Sequence, residues 1–275
     1  MNLAVSEIQA FYAKTELGLL TRRFINESIQ QMDPYIIRSR EKEILVSYGY
    51  SFPYLERFTK DLSQTLYLMP EQQGVISSSS NYLNTSILIE QTEWPLDSES
   101  TNIVLMIHGL ETCENPNELL EETWRVLSPE GYLLVVVPNR TGFWARSDLT
   151  PFGNGRPYSL RQLARLLSAN KFEIIRTGAA LFSPPAAKGF FLKSSPLVEK
   201  FCKKYATKVM GGILIMLVKK KIYAPTAVKL SASIKTPLGL LDGLIEPKPK
   251  PLPNHTKYQI IKENKYSKLN AINLE

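Results

Sequence analysis

Two short apolar runs rich in β-branched residues flank one amphipathic segment near the middle of the chain. The runs cover residues 103–107 and 132–138, and each is continuous, which is typical of strands buried on both faces of a parallel sheet. Between them, residues 118–127 carry apolar side chains at steps of three and four, which predicts a helix. The segment 128–131 contains Pro129 and a glycine and should form the turn into the second strand. The pattern therefore predicts a β-α-β unit.

Other apolar segments extend this unit into a larger sheet. Residues 43–46, 65–69, 86–89, 172–175 and 212–218 have the length and composition of strands. Helix-forming segments separate most of them, and we expect one of these helices to begin after a capping serine, Ser159. Seven strands alternating with helices predict a doubly wound, mostly parallel α/β sheet of the Rossmann-like kind.

The remaining segments suggest how the chain is divided. Residues 1–34 carry apolar side chains at helical spacing and predict a helical segment interrupted near Gly18. Residues 35–224 hold the predicted sheet, with an insert at 183–210 that is longer than a hairpin connection needs. Residues 225–275 are rich in proline and lysine and lose apolar periodicity, so we expect a disordered tail.

Composition narrows the class of protein. A hydrophobic content of 44% and a charged content of 21% are ordinary for a globular protein. The only cysteines are Cys113 and Cys202, and the only histidines are His108 and His255, so a zinc site is not expected. The first residues lack the pattern of a signal peptide, and no apolar run is long enough to span a membrane. We therefore expect a cytoplasmic protein.

Charge is unevenly distributed along the chain. The whole chain carries +7, whereas residues 186–275 hold 17 lysines, no arginine and 5 acidic residues, or +12, which leaves −5 for the rest. A basic region of this size could attract nucleic acid or a lipid surface. It could equally be a solvated surface, and we favour that interpretation because no pattern of interleaved aromatic residues accompanies the lysines.

The helix-turn-strand Trp124–Leu133 resembles a known family. Its sequence, WRVLSPEGYL, is similar to the RVLKPGG segment of class I S-adenosylmethionine (SAM)-dependent methyltransferases, and the resemblance extends over residues 35–223. It implies a last strand that runs antiparallel to the others and pairs with the sixth. It also implies SAM as the cofactor and a methyl group transferred directly to an acceptor, with proximity supplying much of the rate.

The turn after the first strand matches the family's cofactor loop only in part. The family has an acidic residue followed by three alternating glycines, and the corresponding residues here are Ser47, Gly49, Ser51 and Pro53. One glycine remains and the acidic residue is missing. Ser51 is still small enough for close approach of a ligand to the backbone, and Pro53 suits the first turn of a helix. The resemblance therefore implies a cofactor contact at Gly49, Tyr50 and Ser51.

The resemblance assigns further cofactor contacts. Glu90 stands at the acidic position that faces the adenine amino group in the family, and the adjacent Gln91 is expected to contact the cofactor. Glu71 would bind the ribose if its turn is shifted by about two residues. Glu71 could instead be a charge at a helix N-terminus. Tyr12 stands where some relatives have a lid tyrosine over the cofactor, or it could be a core aromatic residue in a helical hairpin.

Acceptor contacts are expected at the ends of the fourth and fifth strands. His108 follows the fourth strand and is a candidate general base, although a structural histidine is an equal alternative. A loop rich in arginine and aromatic residues follows the fifth strand and should either close over the acceptor or pack across the sheet. Its candidate substrate-binding residues are Arg140, Trp144, Arg156 and Tyr158.

Three interpretations of function remain besides a SAM-dependent methyltransferase. The incomplete glycine loop suggests a methyltransferase-fold protein that is catalytically inactive and binds a partner. A dehydrogenase is disfavoured because the G-x-G-x-x-G motif is absent. Methylation of nucleic acid is compatible with the basic residues. The enzymatic interpretation requires room for adenosine beside Gly49, which the rings of Tyr48, Tyr50 or Phe52 could fill.

Overall fold

The computed structural model describes residues 3–32, 44–55, 64–76, 86–185, 190–205 and 210–222. The chain divides into two units, Met1–Thr226 and Ala227–Glu275. The second unit, with nearly all of the predicted tail, lies outside the described residues. No helix in the described ranges is long and apolar enough to cross a membrane.

Seven strands form one sheet in the order β3-β2-β1-β4-β5-β7-β6. The strands are β1 Ile44–Gly49, β2 Gln64–Pro70, β3 Ser86–Ile89, β4 Thr101–Ile107, β5 Leu127–Pro138, β6 Phe172–Ala180 and β7 Ile213–Lys220. The first five strands pair in parallel, and β7 lies antiparallel between β5 and β6. The predicted fold class, including the reversed last strand, is confirmed.

Six α-helices accompany the sheet within the described ranges. They are α1 Val5–Lys14, α2 Glu16–Gln30, α3 Phe52–Leu55, α4 Pro116–Val126, α5 Leu160–Ala169 and α6 Phe190–Tyr205. Helix α5 begins as predicted, because Ser159 and Gln162 form a capping box. Helix α6 lies in the predicted insert, and its buried Glu199 accepts hydrogen bonds from two backbone N–H groups that follow β6.

Alternation along the strands produces an apolar core on each face of the sheet. On one face, Leu45 of β1 packs with the buried sides of α1 and α2. On the other face, Val46 and Tyr48 pack with α4 and α5. Helices α1 and α2 therefore cover the face toward which the side chains of Leu45 and Tyr50 point.

The N-terminal helical segment breaks three residues earlier than predicted. Helix α1 ends before Thr15, whose extended backbone separates it from α2, and the Thr15 hydroxyl accepts a hydrogen bond from Gly18 N–H. Gly18 lies inside α2. It must be small there, because a Cβ would stand 1.9 Å from the carbonyl oxygen of Phe11. The glycine therefore permits the close approach of the two helices and does not interrupt them.

The predicted turn at residues 128–131 lies within β5. This strand begins at Leu127, and its pairing with β4 shifts between Thr101 and Ile103, as in a β-bulge. Glu130 has a φ of 67° at this irregularity. The bulge accommodates the turn-forming residues without ending the strand.

Candidate functional site

The carboxyl ends of β1, β2 and β4 meet at one edge of the sheet. Gly49 pairs with Ile107, the last residue of β4, and β2 lies directly on the other side of β1. Helix α1 reaches this edge, where the Val5 N–H donates to the carbonyl oxygen of Gln73 at 2.7 Å. In open α/β sheets, ligands bind in the crevice outside such strand ends.

Gly49 adopts a backbone conformation that favours glycine. Its φ is +78°, and a Cβ at this position would lie 2.5 Å from the Ile107 carbonyl oxygen and 3.0 Å from the His108 backbone. The turn after β1 therefore keeps the backbone close to β4, as the resemblance implied for the first loop glycine.

Ser47 and Ser51 satisfy each other. Both are fully buried, and their side-chain hydroxyls form a hydrogen bond with each other. These are the positions of the family's acidic residue and second loop glycine. The two replacements therefore occur together, and the polar group of each is paired within the turn.

Of the three rings named as obstacles to adenosine, Tyr48 packs on the opposite face of the sheet, and Phe52 packs against both Tyr67 and Tyr50. Tyr48 lies in the core of the opposite face and stacks on Trp94, with ring centroids 5.1 Å apart. Phe52, at the start of α3, stacks on Tyr67 of β2 at 4.6 Å.

Tyr50 and Tyr12 together close the crevice beside this turn. Tyr50 is 4% exposed and stacks on Tyr12 of α1, with centroids 5.7 Å apart and ring planes 14° from parallel. The Tyr12 hydroxyl lies 2.8 Å from Nε2 of His108. Tyr12 thus belongs to the core of a helical hairpin and also lies at the strand ends. In this arrangement the rings of Tyr12 and Tyr50 occupy the space beside Gly49 that the enzymatic interpretation requires for adenosine.

His108 and Glu111 form a buried pair behind Tyr12. His108 Nδ1 lies 3.1 Å from Oε1 of Glu111, and both side chains are at most 3% exposed. His108 also has a φ of 56°, and its ring lies 4.6 Å from that of Phe152. We did not predict Glu111 as a site residue. The sequence pattern that could have indicated it is a glutamate three residues after a histidine that directly follows a buried strand.

Burial keeps the crevice tyrosines protonated. It raises the pKa of Tyr12 well above its usual value of 10, and the negative charge of nearby Glu111 adds to the effect. Burial likewise raises the pKa of Tyr50 to about 12. At neutral pH both hydroxyls are uncharged and able to donate a hydrogen bond.

Gln73 ties the end of β2 to the end of β4. Its side chain is 3% exposed, and Nε2 donates to the His108 carbonyl oxygen at 2.5 Å and to the Thr112 hydroxyl at 3.0 Å. Among the described residues, Oε1 of Gln73 and Oε2 of Glu111 are buried acceptors that receive no hydrogen bond. Both acceptors belong to residues that contact His108.

The residues predicted to contact adenosine lie on neighbouring loops nearer the surface. Glu71 follows β2 directly and is exposed in a turn, so it is not at a helix N-terminus, and Glu90 is exposed after β3. Gln91 donates from Nε2 to Oε1 of Gln72 at 3.0 Å and accepts from the Glu114 N–H at 3.2 Å. These contacts join the loops after β2, β3 and β4.

Two residues predicted to bind substrate are packed inside the protein. Trp144 is 2% exposed and donates from Nε1 to the Ser183 carbonyl oxygen at 2.7 Å. Tyr158 is buried, and its hydroxyl lies 3.5 Å from the Leu110 carbonyl oxygen. The expectation that Trp144 and Tyr158 present their surfaces to an acceptor is wrong for this conformation, because both side chains are buried where the loop packs across the sheet.

The two arginines predicted with them are exposed. Arg140 donates from Nη2 to the Pro157 carbonyl oxygen at 3.3 Å, and the Arg156 guanidinium lies 5.9 Å from the centre of the Tyr158 ring. The backbone N–H of Arg156 donates to the backbone carbonyl oxygen of Glu111 at 2.7 Å. This contact connects the loop after β5 to the buried histidine-glutamate pair.

Comparison with known proteins agrees with this architecture. A family described as a methyltransferase domain matches residues 33–177 of the chain. A chain of the complex between the Haloferax volcanii Trm112 methyltransferase activator and a methyltransferase is 15% identical. It aligns with a TM-score of 0.52 over 78% of this chain and 98% of that one.

A second solved structure is similarly related. A SAM-dependent methyltransferase from Thermotoga maritima is 17% identical, with a TM-score of 0.49 over 74% of this chain and 92% of that one. No curated protein matches the sequence. At such low identity, the structural likeness concerns the fold alone.

Proposed function

Because the chain belongs to the methyltransferase-domain family, we propose that it is a SAM-dependent methyltransferase whose cofactor crevice opens when α1 withdraws. The observation that carries this proposal is the pair of buried, unpaired acceptors at the strand ends, Gln73 Oε1 and Glu111 Oε2. Buried polar atoms are almost always hydrogen-bonded, and these two acceptors both belong to residues that contact His108, so together they could accept from one ligand that donates.

The available groups suit a cation. SAM carries a positively charged ammonium group with three N–H donors and a positively charged sulfonium. The family's carboxylate at the end of β1 is replaced by Ser47, and Glu111 supplies a carboxylate from the end of β4 instead. An amide oxygen and a carboxylate oxygen together would accept from the ammonium group and balance the positive charge.

The remaining contacts to SAM would be made by the residues that the sequence predicts at the cofactor. The backbone at Gly49 and Ser51 would lie against the methionine end, while Glu71, Glu90 and Gln91 would face the adenosine end from the loops after β2 and β3. Bound SAM would supply an activated methyl group. The chain's own contribution would be to orient this group toward the acceptor and to exclude water from the crevice.

Entry of a ligand would require Tyr12 to move. Its ring now stacks on Tyr50 and its hydroxyl contacts His108, so the way to the buried acceptors is closed until both contacts break. Helix α1 is joined to the loop after β2 by the backbone hydrogen bond between Val5 and Gln73. Opening would therefore be a motion of one short helix with few polar anchors.

Calorimetric titration with SAM tests the proposal. We expect saturable binding with submicromolar affinity, and severalfold tighter binding to Tyr12→Phe, which lacks the hydroxyl that holds the crevice closed. Tyr158→Phe is a matched control because it removes another buried hydroxyl outside α1. Absence of heat at millimolar SAM for all three proteins would contradict the proposal.

A catalytically inactive methyltransferase-fold protein is the second candidate. It is favoured by the hydrogen bond between Ser47 and Ser51, which pairs the polar groups of the incomplete glycine loop without a ligand. The stacked rings of Tyr12 and Tyr50 favour it as well. In that case the crevice would be permanent core, and Tyr12→Phe would bind SAM no better than the unaltered chain. The same titration therefore separates the two functions.

A further inference from the structure

Three buried side chains form a relay that ends at the closed crevice. The Tyr12 hydroxyl contacts His108 Nε2 at 2.8 Å, and His108 Nδ1 contacts Glu111 Oε1 at 3.1 Å. The network assigns the tautomer: the carboxylate can only accept, so Nδ1 carries the proton and Nε2 is left as an acceptor. The Tyr12 hydroxyl therefore donates to Nε2.

We propose that Tyr12 occupies the place of the acceptor's hydroxyl, and that His108 is the base that receives the proton of a phenolic acceptor once α1 withdraws. This inference rests on the proposed methyltransferase function and names the chemical class of its acceptor. His108 would contact the reacting group directly. Glu111 would be a positioning residue that fixes the histidine tautomer and stabilises the charge on the ring.

The surroundings of the Tyr12 ring favour an aromatic acceptor. Tyr50 stacks on one face of this ring, and the edge of Tyr54 meets it with centroids 6.0 Å apart. Phe152 lies beside the His108 ring on the other side of the hydrogen bond. When Tyr12 leaves, these side chains remain as a slot with aromatic sides, and His108 Nε2 faces this slot as a hydrogen-bond acceptor. A phenol matches both features.

The chemical step balances without a further reactant. The acceptor's O–H bond breaks, and its proton moves to Nε2, which makes His108 an imidazolium beside the Glu111 carboxylate. The acceptor oxygen uses an electron pair to bond the methyl carbon, while the carbon–sulfur bond breaks and its electron pair stays on sulfur. The products are an aryl methyl ether and S-adenosylhomocysteine, and His108 then loses the proton to water.

The backbone at His108 supports a functional position. Its φ of 56° is rare for a residue other than glycine, and the Gln73 side chain holds its carbonyl oxygen. Glu111 is fixed in turn, because its carbonyl oxygen accepts the Arg156 N–H. Both ends of the pair are therefore held from neighbouring loops, which keeps Nε2 directed at Tyr12.

Binding of p-cresol to a full-length Tyr12→Gly variant tests the inference. This substitution removes the phenol ring, and p-cresol is the detached side chain of tyrosine. By calorimetry we expect p-cresol to bind about fivefold more tightly than toluene, because only the cresol can donate to Nε2. In Tyr12→Gly combined with His108→Phe, we expect this preference to disappear. Equal binding of the two probes to the single variant, or binding of neither, would overturn the inference.

Nitrogen NMR of the unaltered chain gives a readout that does not depend on the folding of that variant. We expect the proton of the His108 ring to lie on Nδ1 and not on Nε2, and Glu111→Gln to change this distribution. A proton on Nε2 in the unaltered chain would overturn the inference. Titrating the unaltered chain and Tyr12→Gly with SAM separates this inference from the proposed function. SAM binding without a preference of Tyr12→Gly for p-cresol would remove only the acceptor assignment. A preference for p-cresol without SAM binding would remove only the cofactor.

Discussion

Two glycines with positive φ have different reasons for being glycine. Gly49 and Gly74 have φ angles of +78° and +84°, but only at Gly49 would a Cβ collide with backbone, 2.5 Å from the Ile107 oxygen. At Gly74 the Cβ would meet only the Val5 side chain, at 3.9 Å. The first position therefore combines strain with a clash, whereas the second has strain alone.

Alanine substitutions should resolve this difference. We expect Gly74→Ala to lower the free energy of unfolding by about 1–2 kcal/mol, and Gly49→Ala to lower it by about 3 kcal/mol or more. Urea denaturation of the two variants measures both values. Equal losses would show that β1 and β4 are not held as closely at this turn as described.

The two cysteines should differ in reactivity. Burial raises the pKa of the Cys113 thiol to about 11, and the side chain is only 6% exposed. Because the thiolate is the reactive form, we expect iodoacetamide at neutral pH to modify the half-buried Cys202 first. Mass spectrometry of peptides at increasing times gives the order. Faster modification of Cys113 would mean that the segment after β4 opens readily.

The position of a residue in the fold was predictable where a strand end fixes it, while its contact with a ligand stays a prediction. Gly49, Tyr50, Ser51 and His108 all lie at the crevice edge, because the ends of adjacent parallel strands must meet. Which side chains fill the space was not predictable, since Tyr12 arrives from a helix far away in sequence. Trp144 and Tyr158 were misassigned for a related reason: an aromatic residue in a loop can face the core as easily as a ligand.

At the level of elements, α1 is the part that decides whether the crevice is open. It meets the strand ends through Tyr12 and through the Val5 N–H, while α2 packs more broadly on the sheet. The Tyr12 hydroxyl is the single side-chain atom of α1 that bonds to a strand end among the described contacts. Local opening should therefore begin at α1.

Hydrogen exchange can detect this opening. In Tyr12→Phe we expect the amides of α1 to exchange about fivefold faster, because one buried hydrogen bond is lost, while amides of β4 and β5 keep their rates. Tyr158→Phe should leave the α1 rates unchanged. If α1 and the central strands accelerated together, α1 would be part of the global folding unit and not a separate lid.

Alkaline pH should also release α1. A group whose pKa is raised on folding stabilises the protein fully below its unfolded pKa, and this contribution is lost as pH rises through the folded pKa. For Tyr50 that window runs from 10.0 to about 12. We expect phenolate absorbance and loss of helical circular dichroism to rise together in this window. In Tyr50→Phe, the part of the transition due to Tyr50 should vanish; an unchanged titration would refute the assignment.

The elements themselves were largely predictable, and the errors have physical causes. Continuous apolar runs identified all seven strands, and the central strands owe these runs to the apolar cores on both faces of the sheet. The helix break was placed at Gly18 because glycine usually interrupts a helix, whereas Thr15 does so here by capping α2. Pro129 and Gly131 suggested a turn, but a bulge keeps them within β5. Side-chain caps and bulges depend on neighbours that a local pattern does not contain.

At the level of the whole molecule, the net charge of +7 raises the question of a polyanionic partner. We expect the basic residues to be a solvated surface, so binding to a random RNA should be weak at all salt concentrations. Fluorescence anisotropy between about 50 and 200 mM salt measures this, since nucleic-acid binding through several phosphates weakens steeply over that range. Tight binding with a steep salt dependence would favour a nucleic-acid acceptor.

The most direct measurement is a crystal structure of the full chain grown with S-adenosylhomocysteine. We predict that the ligand's ammonium group will lie within hydrogen-bonding distance of Gln73 Oε1 and Glu111 Oε2, with Tyr12 displaced from Tyr50 and His108. A structure grown at saturating S-adenosylhomocysteine in which Tyr12 still contacts both residues, and no ligand lies at the strand ends, would contradict a cofactor site in this crevice.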